Sequence, residues 1–379
     1  MKIGFAGRWS PLDKKSWSGT YYYTYQELKK HHEVETLLFK WPFYVREWLI
    51  LKKQYGKLFL KKNVAVEFLS GYAKYFSKCL DEAVKGKNLD AIFVPAAPQL
   101  IAYTKTTIPI IFLTDATFQQ IQGYYHSYRN LAPFSLKQGI DSDKKGFQKA
   151  AHCMLASEWC KQSAIKDYGL NPAQITVSPL GANLDHVPSR DEILLHKKDG
   201  VCRLLFLGVE WERKGGQIAY DTYSALKQMN IPVQLTIIGC VPSFSINDPG
   251  VEVIPFLDKH DPAQSEKLYQ YLKESSFLLL PTRAECAGVV FCEASAYGVP
   301  SITTNTGGVG TYVKNNVNGF MLNMDENGSA YAIKIASVFN NNAAYEALRR
   351  TSRQRFEEEL NWEHWGMQFE AILKNVTGK

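Results

Sequence analysis

Apolar runs of about four to seven residues alternate along this chain with segments of helical periodicity. Runs at 2–6, 90–94 (DAIFV), 109–113 (PIIFL), 153–156, 203–208 (RLLFLG), 233–239 (VQLTIIG), 252–257 and 277–280 read as strands. Several lack the in–out alternation of a half-exposed strand, which is the pattern of a parallel sheet covered on both faces. Helices are expected from 21 to 28, from the Asp141-Ser142-Asp143 start onward, from a Ser157 cap, and over 356–373. Strand–helix alternation predicts an α/β protein built of doubly wound parallel sheets. A length of 379 residues exceeds one ordinary core and predicts two domains. The divisions fall at 1–184, a linker of mixed charge at 185–200, a second domain at 201–355 and a terminal helical segment at 356–379.

The most informative stretch is 276–309, SFLLLPTRAECAGVVFCEASAYGVPSITTNTGGV. It predicts a strand at 277–280, a loop, and a helix from Gly288–Val289 to Tyr297. Gly298 would be its left-handed cap, with Pro300 just beyond and a strand at 301–304. Glu285 then stands in the loop at a strand's carboxyl end, where open α/β sheets bind ligands. Glu293 lies about one turn inside the helix, and the N–H groups of Gly288, Val289 and Val290 between them favour an anion. Hydroxyls, phosphate and hydroxyls in that order describe a nucleotide sugar. On the residues alone, a solvated loop and helix face supply such a pair more often than a site does. Upstream, Arg213 and Lys214 precede Gly215-Gly216 and a helix, a combination that suits a diphosphate: charge from the side chains, N–H groups from the turn.

Glu285 and Glu293 with seven residues between them, the Gly298-Val299-Pro300 cap, Gly307-Gly308 and Asn318-Gly319 together resemble the E-x7-E block of the retaining glycosyltransferases of family 4. The resemblance implies the GT-B fold: two Rossmann-like doubly wound domains facing a central cleft. It implies a nucleotide-diphosphate sugar as donor and retention at the anomeric carbon. Glu285 would orient the sugar hydroxyls, Glu293 the ribose hydroxyls, and Arg213 and Lys214 the departing diphosphate. Trp17-Ser18-Gly19-Thr20 resembles the family's first glycine loop, with Gly19 approaching the donor phosphates, although an ordinary turn reads the same way. Ile254 and Phe256 fall where the family holds its nucleobase, and Gly307 and Gly308 complete the donor-binding set. Asp115, just past a strand, matches a polar position that touches sugar or acceptor; a helix-capping role is equally compatible. The segment 356–373 resembles the helix that crosses back to the first domain. Three departures stand out: Ala287 where Phe is usual, Thr311 where Glu often follows, and Val209 in a usual Arg position, leaving that charge to Arg213.

Asp141-Ser142-Asp143 has the D-x-D form of a metal–diphosphate site in another glycosyltransferase fold, but it opens an expected helix here instead of following a strand. No metal and no cofactor is therefore expected, the nucleotide sugar being a substrate. The seven cysteines are odd in number and scattered, which suits reduced thiols in a reducing compartment. The start MKIGFAG enters a strand directly and no run reaches membrane-spanning length, so the expected location is cytoplasmic.

The formal charge of +7 is unevenly spread: 1–184 hold 25 Lys and Arg against 14 Asp and Glu, while 185–379 hold 19 against 23. The basic half could face the inner surface of an anionic membrane or could simply be solvated. Nothing in it resembles a nucleic-acid motif. Residues 40–62 interleave apolar, aromatic and basic side chains, as an interfacial helix does or as a helical pair packed on the sheet with a basic outer face does. The expected partners are a nucleotide sugar and a saccharide or lipid-linked acceptor, with peripheral membrane contact through the basic domain. An epimerase on the same fold and a non-catalytic nucleotide-sugar-binding subunit are the rival readings.

Overall fold

The computed structural model describes residues 1–39, 42–194 and 199–379. Lys40 and Trp41 of the basic aromatic segment, and residues 195–198 of the expected linker, lie outside the described residues. The chain forms two compact units, Met1–Ser178 with Gly366–Lys379, and Pro179–Trp365.

The first unit holds a parallel sheet of β1 (Lys2–Gly7), β2 (Glu33–Leu38), β3 (Ala91–Pro95), β4 (Ile110–Thr114), β5 (His152–Leu155) and β6 (Ile175–Val177), in the order β2-β1-β3-β4-β5-β6. Both faces are covered, which is why the central strands read as unbroken apolar runs. On one face Ile92, Val94 and Phe112 join Leu80 and Phe147 in a core. On the other, Phe93 meets Phe5 at 5.5 Å and Phe369 of the C-terminal helix at 5.5 Å. The strand β2, EVETLL, was not among those expected. It is an edge strand whose Glu35 pairs with Lys2 and Lys87, and its alternating charges resemble surface loop.

The second unit repeats the plan with β7 (Cys202–Leu207), β8 (Val233–Ile238), β9 (Val251–Ile254), β10 (Phe277–Leu280), β11 (Ser301–Thr304) and β12 (Gly319–Leu322), all parallel, in the order β12-β11-β10-β7-β8-β9. Strand order reverses between β7 and β10, so the loops leaving these two neighbours diverge and open a crevice at their carboxyl ends.

Two helical expectations change. Asp141 does not open a helix: the helix spans Pro133–Lys149, started by a proline whose missing N–H costs nothing in the first turn. Asp143 lies inside it, fully buried, accepting from the Phe118 N–H (2.6 Å) and the Tyr168 hydroxyl (2.7 Å). The segment 356–373 is not one helix either. Asn342–Glu358 ends and Trp362–Thr377 begins across a break that Asn361 closes on both sides. Its amide donates to the Phe356 and Glu357 carbonyls (2.7 and 2.9 Å), while its oxygen accepts from the His364 N–H (2.8 Å).

Candidate functional site

The loop after β7 carries the two cations. Trp211–Lys214 is a single helical turn, Gly215 adopts a left-handed conformation (φ 75°), and the helix Gly216–Gln228 follows. Arg213 and Lys214 thus end one short turn rather than start a long helix. A Cβ on Gly215 would lie 2.0 Å from the Pro281 carbonyl oxygen, so the β7 loop can approach the β10 loop only through a glycine. Further backbone contacts tie the loops: the Arg213 carbonyl accepts from the Arg283 N–H at 2.7 Å and from the Thr282 hydroxyl at 3.3 Å.

These ties bring Lys214 onto Glu285, whose side chains form an ion pair that is almost wholly buried. The Glu285 carbonyl also accepts from the Gly308 N–H (3.0 Å), fixing the glycine pair after β11 against the same loop. Gly307 is left-handed, with φ 52°. Arg213 spreads its guanidinium over the same loop. It donates to both Glu210 oxygens (2.9 and 3.1 Å) and to the Ala284 carbonyl (3.0 Å), so it braces the loop that presents Glu285.

The helix Val289–Ala296 leaves this loop at Gly288, where no side chain caps it. The Phe291 N–H donates to the Gly288 carbonyl (2.9 Å), and the N–H groups of the turn before it supply partial positive charge. Glu293 is buried on the second turn and its carboxylate pairs with Lys259 Nζ at 2.6 Å. Lys259 follows β9 in sequence; Ile254 is that strand's last residue, and Phe256 just beyond is largely exposed. The resemblance puts Asp258-Lys259-His260 where the family holds its nucleobase, largely through backbone groups, but it does not mark the pairing of the Lys259 side chain with Glu293, 34 positions away. Asn318 has a structural role: buried, it donates to Ser295 Oγ (3.2 Å) and the Tyr312 carbonyl (2.8 Å) and accepts from Arg355 (2.8 Å).

Gly19 and Asp115 belong to the first unit. Gly19 (φ 92°) follows two further left-handed residues, Trp17 and Ser18, in the loop after β1, beside the point where that sheet's strand order reverses. Left-handed Trp and Ser store strain that only a constrained loop keeps. Asp115 is half-buried just past β4, and the residue that caps the next helix is Thr117, which accepts from the Gln120 N–H at 3.2 Å. Among the described residues, no group of three or more His, Cys, Asp or Glu could hold a metal ion, and no helix is long and apolar enough to cross a membrane. None of the seven cysteines forms a disulfide.

Two parallel doubly wound sheets of this order have the architecture of the GT-B glycosyltransferases. Sucrose-phosphate synthase from Thermosynechococcus elongatus superposes with a TM-score of 0.70 at 16% identity, covering 100% of this chain and 99% of that one. HepE from Anabaena, solved in complex with UDP and glucose, superposes with a TM-score of 0.63 at 13% identity, covering 99% of each chain. Residues 202–341 match the family model described as "Glycosyl transferases group 1". The D-inositol 3-phosphate glycosyltransferase of Geodermatophilus obscurus is 22% identical over 215 residues, 52% of this chain and 47% of that protein. The chain spans about half the length of the curated relatives it matches.

Proposed function

We propose that this chain is a glycosyltransferase that moves a sugar from a nucleoside-diphosphate donor to an acceptor hydroxyl on a glycan, a lipid-linked saccharide or a small molecule. The observation that carries this reading is the buried Lys214–Glu285 pair across the strand-order reversal of the second sheet, next to an uncapped helix N-terminus and followed by the Lys259–Glu293 pair. In the reaction the bond from the anomeric carbon to the phosphate oxygen breaks, and its electron pair stays on the diphosphate. The acceptor oxygen forms the new bond, and its proton goes to a phosphate oxygen of the donor. Lys214 and the helix N–H groups hold the negative charge that grows on the leaving group. Arg213 keeps the Glu285 loop in place and adds positive charge beside it. Glu285 orients the sugar hydroxyls and Glu293 the ribose.

The resemblance to family 4 supports retention, and the lysine and helix charges make a metal-free mechanism sufficient. Reaction in the cytoplasm, with the basic half of the chain toward a membrane bearing the acceptor, fits the same reading. HepE with UDP and glucose makes UDP-glucose the first donor to try. Thermal unfolding in the presence of UDP, GDP, ADP or TDP and their sugars identifies the donor, and product analysis then follows the sugar. A new glycosidic product, reduced at least tenfold by Lys214→Ala, is the expected result. An isomerised donor, or binding without turnover, would replace transfer by epimerisation or by a carrier role.

A further inference from the structure

Strand order in the first sheet reverses between β1 and β3, so the loops leaving these strands open a crevice of their own. Tyr21 sews the two loops together: its hydroxyl accepts from the Arg8 N–H (3.3 Å) and donates to the Pro95 carbonyl (2.6 Å). Trp17 and Ser18 after β1 and Ala96 after β3 are left-handed although none is a glycine. Trp9 and Trp17 both stand edge-on to the Tyr21 ring, at 5.4 and 6.2 Å, and Trp9 is 42% exposed.

Arg8 opens the loop after β1, and it is held unlike the structural arginines of the fold. Buried Arg349, Arg353 and Arg355 each spend their guanidinium on a glutamate and on at least one backbone carbonyl. Arg8 instead lies with its guanidinium over the Trp9 ring, 4.8 Å from the centroid, and beside the Tyr72 hydroxyl. Its Nε is buried without a hydrogen-bond partner. A guanidinium carries several donors in a planar fork, and a charged donor left unmatched costs more than a neutral one. Packed on an aromatic ring, the fork is oriented before any ligand arrives. A carboxylate or a phosphate matches it with paired, parallel bonds.

Acids complete the neighbourhood. Tyr128, whose hydroxyl donates to Glu67 (2.8 Å), lies within the fields of Arg8, Glu67 and Asp115. Carboxylates repel a bare polyanion but accept from sugar hydroxyls, and an exposed tryptophan offers apolar surface to a sugar ring. We propose that the Arg8 crevice binds the acceptor and selects an acidic saccharide, with its carboxylate or phosphate on Arg8 and its ring beside Trp9. The acceptor role rests on glycosyl transfer as proposed above, whereas binding is read without turnover, so that each can fail alone.

Calorimetric titration of glucose, glucuronate and glucose 6-phosphate into the full chain tests the selection, and the two acids tell a carboxylate from a phosphate. At least one acid should bind at least about tenfold more tightly than glucose, and Arg8→Gln should remove that advantage. Arg8→Lys keeps the charge and loses the fork, so it should fall between the two. Lys214→Ala should bind the acid like wild type, and UDP should bind wild type and Arg8→Gln equally, because Arg8 does not hold the donor. Equal binding of glucose and both acids by the wild type overturns the proposal whatever the variants do. Acid binding lost in Lys214→Ala but kept in Arg8→Gln would move the acid to the second unit's site, and UDP binding weakened by Arg8→Gln would give Arg8 to the donor diphosphate; either result refutes the proposal. A chain that binds the acid through Arg8 yet transfers no sugar would refute transfer alone.

Discussion

Glu285 and Glu293 can be separated by what each touches. Glu293 is buried on the helix and paired with Lys259 at 2.6 Å, and the proposed function gives it the ribose, a part of both the nucleotide and the nucleotide sugar. Replacing it by Gln keeps the shape and removes the charge. A carboxylate that accepts charge-assisted bonds loses roughly 1.5–3 kcal/mol in such a change. At about 1.36 kcal/mol per tenfold, the free nucleoside diphosphate should bind about 10- to 150-fold more weakly. The Lys259 ammonium left without its carboxylate adds to the loss.

Glu285→Gln should behave in the opposite way. The backbone of residue 285 stays fixed by the Gly308 N–H, so the loop keeps its place. Lys214, no longer held by a carboxylate, becomes more available to a diphosphate, and the nucleotide should bind as tightly as to wild type or tighter. Turnover should nevertheless fall at least tenfold, because the lost contact is one made to the transferred sugar. Calorimetric titration of the nucleoside diphosphate into both variants is the assay. Weaker binding to Glu285→Gln than to Glu293→Gln would mean that the donor runs the other way along this loop and helix.

Three further outcomes are expected. Gly215→Ala forces a left-handed alanine whose Cβ meets the Pro281 carbonyl at 2.0 Å, so urea unfolding should show a loss of at least about 2 kcal/mol, and an unchanged midpoint would mean the two loops are not locked together. Burial pushes the Asp143 carboxyl up to about 7 from an ordinary value near 3.8, against the opposing pull of the Phe118 N–H and the Tyr168 hydroxyl. The fold prefers its neutral form, so this stabilisation is full below pH 4 and is lost as pH rises through 7, at no more than about 1.4 kcal/mol per pH unit; Asp143→Asn should flatten that slope in urea titrations at pH 5 and pH 8. Finally, glycosyl transfer should persist in EDTA, and full loss restored by manganese or magnesium would contradict side-chain stabilisation of the leaving group.

Much of the second unit was legible because its strands are pure. Residues 277–280 are a continuous apolar run closed by Pro281, 302–304 are β-branched throughout and follow Pro300-Ser301, and the structure has strands at 277–280 and 301–304. The helix between them was readable from its end, where Gly298 is left-handed at φ 60°. The edge strand β2 was missed because an edge tolerates charge on alternate positions, and Glu33 and Glu35 hide the period. The break at Asn361 was missed because helical periodicity continues through it, while one amide side chain decides the ends of two helices. Composition could indicate that Lys214 suits an anion. It could not indicate that Glu285 would meet it, since pairing across 71 positions depends on β7 and β10 being neighbours.

The paired charges explain how a nearly neutral half of the chain could hold a doubly charged donor. Arg213 with Glu210, Lys214 with Glu285, and Lys259 with Glu293 contribute three cations and three anions, and residues 185–379 as a whole are slightly acidic. Attraction for a diphosphate in this unit therefore cannot come from a net positive field. It has to come from dipoles and charges held at fixed places: the uncapped N–H groups of Val289–Ala296, and a lysine kept extended toward the loop by a carboxylate it can share with the ligand. Burying Glu285 and Glu293 alone would be costly, and the lysines remove that cost in advance. A site assembled this way needs little reorganisation when charge moves onto the leaving group, which is the property that lowers a barrier. The surplus of positive charge lies instead in residues 1–184, outside this unit's crevice loops.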